Sequence, residues 1–227
     1  MAKTDKKIFF PKTVLKMPLG TLKFPNLTKP STHQFDTDKC AAGQYKVQVL
    51  YKPNDKALAA FEKTVNGIYD AGVALLEKEK AKAKTPKEKK ALELQDRNPL
   101  HKPDTDKDGN ETGFVVIQSK VAAEDKNGVP TKLIIVDAKK NPMPRNSEIW
   151  GGTTANVAVQ AQFYNSNMGS GVSLRLVGAQ IINLVAGGSN AAPTMAEIGF
   201  EEAEGYEAQS ADDAATTTEE EEDNVPF

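Results

Sequence analysis

Between residues 43 and 75 the chain changes its hydrophobic period once, and that switch limits its architecture more than any other feature. In GQYKVQVLYK (43–52), Tyr45, Val47, Val49 and Tyr51 alternate with Lys46, Gln48 and Lys52. A period of two is that of a strand with one buried face. Asn54 and Asp55 then supply a helix start, and Leu58, Phe61, Val65, Ile68, Gly72 and Leu75 recur at steps of three and four. That spacing lays one apolar stripe along an amphipathic helix. The continuation, EKEKAKAKTPKEKK (77–90), is charged on every side, so it is predicted to project into solvent, with Pro86 interrupting it.

Strands dominate the remainder. Pro11, Pro18, Pro25 and Pro30 exclude a helix from the first thirty residues and favour extended segments or sheet edges. Residues 96–113, with Pro99, Pro103, Gly109 and Gly113, read as a polar loop. GFVVIQSK (113–120) and TKLIIVD (131–137) flank a turn at Asn127-Gly128. TTANVAVQAQFY (153–164) sets Val157, Val159, Ala161 and Phe163 against Asn156, Gln160, Gln162 and Tyr164. It is predicted to form a long hairpin with GVSLRLVGAQIINL (171–184) through a turn between Asn165 and Gly171. Four or five strands around one helix imply a small twisted barrel. From residue 187 the chain is rich in Ala, Glu, Asp and Thr and cannot bury enough apolar surface to fold, so 187–227 is expected to be disordered.

The charge is divided as sharply as the pattern. All 29 Lys and Arg, but only 19 of the 31 Asp and Glu, fall in the first 196 residues, a net of +10; the other 12 acids lie in 197–227. No run of apolar residues is long enough for a membrane span. MAKTDKKIFFPK lacks the apolar core of a signal peptide, and the single Cys40 suits a reducing compartment, so the expected location is the cytoplasm. Catalysis and metal binding find no support. Asp104, Asp106, Asp108 and Gly109 imitate a calcium loop, but its twelfth position is Val115 where a bidentate Glu is needed. His33 and His101 are far apart with no metal-ligand spacing, Cys40 has no obvious general base near it in sequence, and no phosphate-binding glycine loop is present. No catalytic residue, metal or cofactor is expected.

What remains is a basic body with aromatics on its strands. Lys46 and Lys52 lie on the polar side of one strand; Phe114, Gln118 and Lys120 share a face of another; Ser173 and Arg175 share a third, and Tyr164 falls on the polar side of its own. A face mixing rings with cations suits a single-stranded nucleic acid, whose bases stack while its phosphates are neutralised. The candidate groove residues are Lys46, Lys52, Phe114, Lys120, Trp150, Tyr164 and Arg175. The tail carries the other signal: Glu219, Glu220, Glu221, Glu222 and Asp223 precede Val225, Pro226 and Phe227, an anionic segment with an apolar anchor suited to a basic pocket on a partner.

These features resemble the phage-encoded branch of the single-stranded DNA-binding proteins, whose tails end in acids followed by a short apolar-Pro-Phe or a lone Phe. The resemblance rests on that tail and on GTLKFPNLTKP (20–30), GQYKVQVLYK (43–52), Ile149-Trp150-Gly151-Gly152 and GVSLRLVGAQIINL (171–184), and with the intervening elements it spans most of residues 8–186. The chain departs from it in the long 77–95 extension and in Asn224. The resemblance implies a mainly β, OB-fold-like five-stranded barrel with one amphipathic helix (1–186) and a disordered acidic tail (187–227). It also implies coating of single-stranded DNA during replication, recombination and repair, with little sequence preference. The tail would recruit a polymerase, helicase or primase, and the body could form a homo-oligomer. An RNA-binding module and a structural protein of a virion are the alternatives.

Overall fold

Pro11 and Pro18 bracket the first strand, β1 (Lys12–Lys16), and the chain turns at Pro18 into β2 (Gly20–Ser31). The computed structural model describes residues 8–38 and 40–185. The tail candidates and the segment expected to be disordered therefore lie outside the described residues. After β2 come a one-turn helix, α1 (Gln34–Thr37), and the period-two strand, β3 (Gln44–Tyr51). The helices α2 (Lys56–Lys82) and α3 (Pro86–Ala91) follow. The chain continues through β4 (Lys102–Thr105), β5 (Glu111–Ala122), β6 (Ile134–Val136), β7 (Thr154–Ser166) and β8 (Gly169–Asn183).

The expected five-stranded barrel is corrected in both strand number and closure. Eight strands pair in the order β1-β7-β2-β3-β5-β8-β6, with β4 on β5 and a further pairing of β7 with β8. The strands β7, β2, β3, β5 and β8 thus follow one another in a ring of pairings. The ring is not a barrel: β5 meets β8 through the single pair Lys120↔Arg175, and β2 meets β7 through only two residue pairs. The surplus strands have legible causes. Pro18 splits the N-terminal extended segment in two, and β4 forms where residues 96–113 read as a loop, because Lys102-Pro103 lies along β5 as an edge where a proline needs no donor. What stands is a mainly β, OB-fold-like domain with one principal helix.

That helix begins where Asp55 caps it, its carboxylate accepting from the backbone N–H groups of Ala57 (2.7 Å) and Leu58 (3.3 Å). Its buried stripe is Leu58, Phe61, Val65, Tyr69, Gly72 and Leu76. The sequence stripe holds at Leu58, Phe61, Val65 and Gly72 and is off by one residue at Tyr69 and Leu76, where Ile68 and Leu75 were expected. Pro86 does more than interrupt: it opens α3 behind a capping box in which Thr85 and Glu88 satisfy each other's backbone donors. Within the sheet, Val47, Val49, Ile117, Val157 and Val159 are fully buried on its inner face.

Helix and sheet meet closely at Gly72, where an added Cβ would lie within 2.2–2.6 Å of three atoms of Phe163. Alanine favours helices over glycine by about 1 kcal/mol, so Gly72→Ala on an open surface would stabilise. Here the overpacking wins, and we expect Gly72→Ala to lower the unfolding free energy by about 1–3 kcal/mol in urea titrations. A neutral or stabilising result would mean that Phe163 can withdraw.

Candidate nucleic-acid interface

The outward side of the sheet carries the candidate cations. Alternation along β3 and β5 sends Val47, Val49, Ile117 and Val121 inward and leaves Lys46, Gln48, Gln118 and Lys120 on the other face. Antiparallel register then sets Lys46 opposite Lys120 and Gln48 opposite Gln118. Parallel pairing adds Arg175 beside Lys120, and β7 adds Gln160 beside Arg175. Three of the candidate cations therefore stand in one row across β3, β5 and β8. Directly opposed residues of an antiparallel pair sit about 4.5–5.5 Å apart at Cα, where like charges repel. Anions near such a row relieve that repulsion.

One anion comes from the chain itself. Asp36, on α1 in the loop between β2 and β3, accepts from Lys46 Nζ at 2.5 Å and from the Ser31 hydroxyl at 2.6 Å. Its backbone carbonyl accepts from Gln44 Nε2. Those two side-chain hydrogen bonds, Lys46 first, hold the Asp36 carboxyl below the usual carboxylate range. Lys120 and Arg175 are exposed and have no ion-pair partner among the described residues.

A second pair closes the neighbouring edge. Lys23 on β2 donates to Asp104 Oδ1 at 2.5 Å and to the Thr105 carbonyl at 3.1 Å, while the Thr112 hydroxyl donates to Asp104 Oδ2 at 2.8 Å. Burial alone would raise the Asp104 carboxyl, but the hydrogen bonds from Lys23 and Thr112 outweigh it and hold the group below its usual value. Although β3 and β5 separate β2 from β4 in the strand order, this contact ties the β4–β5 hairpin to β2.

The remaining candidates are scattered. Lys52 is exposed in the turn after β3, and Phe114, 40% exposed, lies at the same end of β5. Six strand steps separate Phe114 from Lys120, about 20 Å at the usual rise. Tyr164 shares the face of Arg175 but lies over Gly171 beside the β7–β8 turn, where its hydroxyl accepts from Asn98 Nδ2 at 3.0 Å. Trp150 is 42% exposed in the turn before β7; its indole N–H donates to Glu148 at 3.3 Å and its backbone N–H to the Val185 carbonyl. That turn packs on β2 and the end of β8, off the cation row.

Two aromatic groups escaped the sequence reading. Phe24 is 66% exposed with φ +50°, a left-handed conformation that costs a bulky residue about 1–3 kcal/mol. It lines a cleft of about 150 Å³ with Lys46, Val47, Gln48 and Gln118. Phe35, 77% exposed, stacks on His33 beside the Asp36 contact, with centroids 5.5 Å apart. The available signals were Phe24-Pro25, which breaks the alternation at a β-bulge between Lys23 and Asn26, and the aromatic in HQFD.

The Asp36–Lys46 pair sets a pH dependence. A carboxyl whose pKa is lowered by folding adds stability above its unfolded value, and that stability is lost as pH falls through the folded value, below 3.8. We expect Asp36→Asn to destabilise by about 1 kcal/mol at pH 7, the upper end for a pair keeping some solvent contact. The gap from the parent should close between pH 4 and the acid transition in parallel urea melts. A gap constant with pH would show that the pair contributes no stability.

Comparison with known proteins gives this geometry its context. Residues 16–215 match the family model described as the single-stranded DNA-binding protein of Enterobacter phage Enc34. Among solved structures, the chain resembles gp2.5, a single-stranded DNA-binding protein encoded by bacteriophage T7. The two share 22% identity at a TM-score of 0.56, over 88% of this chain and 100% of that one, a likeness of fold. The Enc34 single-stranded DNA-binding protein aligns at 15% identity and a TM-score of 0.47, over 80% of this chain and 87% of that one. No curated protein sequence matches. Among the described residues no group of three or more His, Cys, Asp or Glu could hold a metal ion, and no helix is long and apolar enough to cross a membrane. Since the family match takes in 16–215 of the 227 residues, the chain belongs to the family of the Enterobacter phage Enc34 single-stranded DNA-binding protein.

Proposed function

We propose that this protein coats and protects single-stranded DNA during replication, recombination and repair, with the strand running across the outward face of β3, β5 and β8. The family is one of binding proteins and not of enzymes. The observation that carries this placement is the row Lys46–Lys120–Arg175, fixed by strand register on the face where OB-folds take oligonucleotides. Phosphates would lie along the row, while the exposed ring of Phe24 beside Lys46 would stack a base, with Phe114 available to another base further along β5. In the free protein Asp36 stands where a phosphate would stand on Lys46, so the strand must displace a carboxylate to use that cation.

Residues 1–186 form the DNA-binding domain in this reading, and 187–227 serve as an acidic segment that recruits a replication enzyme in the host cytoplasm through Glu219 to Asp223 and Val225-Pro226-Phe227. The test is an anisotropy titration with oligo-dT, a matched RNA strand and a matched duplex at several salt concentrations. Preference for oligo-dT, with affinity falling as salt rises, is the expected result. Equal or tighter binding of the RNA would move the protein to the RNA-binding modules, and salt-independent binding would remove the cation row from the mechanism.

A further inference from the structure

The cleft beside Phe24 holds chemistry that neither phosphate binding nor simple stacking uses. Gln48 and Gln118 are register partners across β3 and β5, and both line it. Neither amide has a side-chain hydrogen-bond partner among the described residues, so both keep their donors and acceptors free. Phe24 forms another wall, with Lys23 Nζ 5.5 Å from its ring centroid, and Lys46 closes the end nearest the cation row. An exposed phenylalanine held in a left-handed conformation beside two unpaired amides is not explained by packing.

The geometry points to a pocket for one pyrimidine base, stacked on Phe24 and read at its Watson–Crick edge by Gln48 and Gln118. This rests on the single-stranded DNA reading above and adds a base preference at one position to binding that otherwise follows the backbone. Size argues for the pyrimidine. A space of about 150 Å³ matches an engineered protein cavity that takes up benzene. A pyrimidine is a six-membered ring, whereas a purine carries a fused five-membered ring that would stay outside. Polarity argues for the reading role. Thymine offers two carbonyl acceptors around an N–H donor, and cytosine offers an amino donor beside two acceptors. A primary amide carries both donor and acceptor and turns to meet either pattern. The two glutamines therefore serve both pyrimidines; an amide also pairs with adenine, so the discrimination against purines comes from the size of the cleft.

Oligo-dT, oligo-dC and oligo-dA of one length are titrated at fixed salt against the full chain and against Gln48→Ala/Gln118→Ala. Self-stacking of free oligo-dA penalises it equally for both proteins, so it divides out when their dT/dA and dC/dA affinity ratios are compared. Both ratios should be lower in the double variant by about fivefold or more, the loss of one good edge contact. Unchanged ratios would overturn the pocket while leaving single-strand binding in place. Failure of the parent protein to bind any of the strands would overturn the functional reading and the pocket with it. A second measurement needs no variant: oligonucleotides carrying 5-iodouracil are photo-crosslinked to the parent protein and the adducts mapped by mass spectrometry. An adduct on Phe24 is expected; adducts confined to other residues would sink the proposal even if the double variant failed to fold.

Discussion

Replacing Lys120 and Arg175 together with alanine should weaken binding of oligo-dT on the order of 100-fold at low salt, with no loss of stability. The estimate takes two charge-assisted contacts at about 1.5 kcal/mol each, the lower end for hydrogen bonds to charged groups. These two are the right pair because they are register partners on adjacent strands, both exposed, and neither has an ion-pair partner among the described residues. Removing them relieves repulsion within the row, so melting should be unchanged or slightly raised. The sharper readout is the salt dependence: each phosphate neutralised on a single strand adds about 0.7 to the log–log slope, so losing two should flatten it by about 1.4. Lys46→Ala should do less, because Asp36 already holds that ammonium in the free protein. A double variant with the parent's slope would place the DNA elsewhere.

The row was partly legible in the sequence, and the reason is periodicity. Lys46, Lys120 and Arg175 were each placed on the polar face of their strand by alternation alone, since a period of two fixes facing once one side is buried. What alternation does not contain is register, and register makes three separate cations into one row. The same gap hid the glutamine pair, although both residues stood on polar faces. Phe24 was missed for a different reason: at a bulge next to Pro25 the alternation fails, so the residue that leaves the pattern also leaves the argument. Asp36 was invisible because its partner lies ten residues away across a turn and one-turn helix that no local pattern predicts. Strand count failed at the prolines and in the polar 96–113 segment, where edge strands β1 and β4 bury too little to show a period.

Deleting residues 197–227 should raise the affinity for oligo-dT about tenfold in low salt and have little effect near 1 M, where the Debye length is about 3 Å. The segment carries 12 acids and no bases, against a net of +10 in the residues before it. Covalent linkage raises the effective concentration of one charged segment at another, to about millimolar for short linkers. The expected gain on truncation follows if those carboxylates compete with phosphates for Lys120 and Arg175, as the Asp36 carboxylate does at Lys46. Electrostatic competition depends on charge and not on the ring of Phe227, so Phe227→Ala should leave DNA affinity within about twofold of the parent, as expected for a change that alters no charge. Its effect should fall on partner capture instead, because an aromatic side chain gains most when a protein pocket desolvates it. Two assays separate these roles: salt-dependent DNA titration of the truncated chain, and pull-down of a purified replicative polymerase by the parent and by Phe227→Ala. Weaker DNA binding after truncation would refute the competition, and undiminished polymerase capture by Phe227→Ala would refute the anchor.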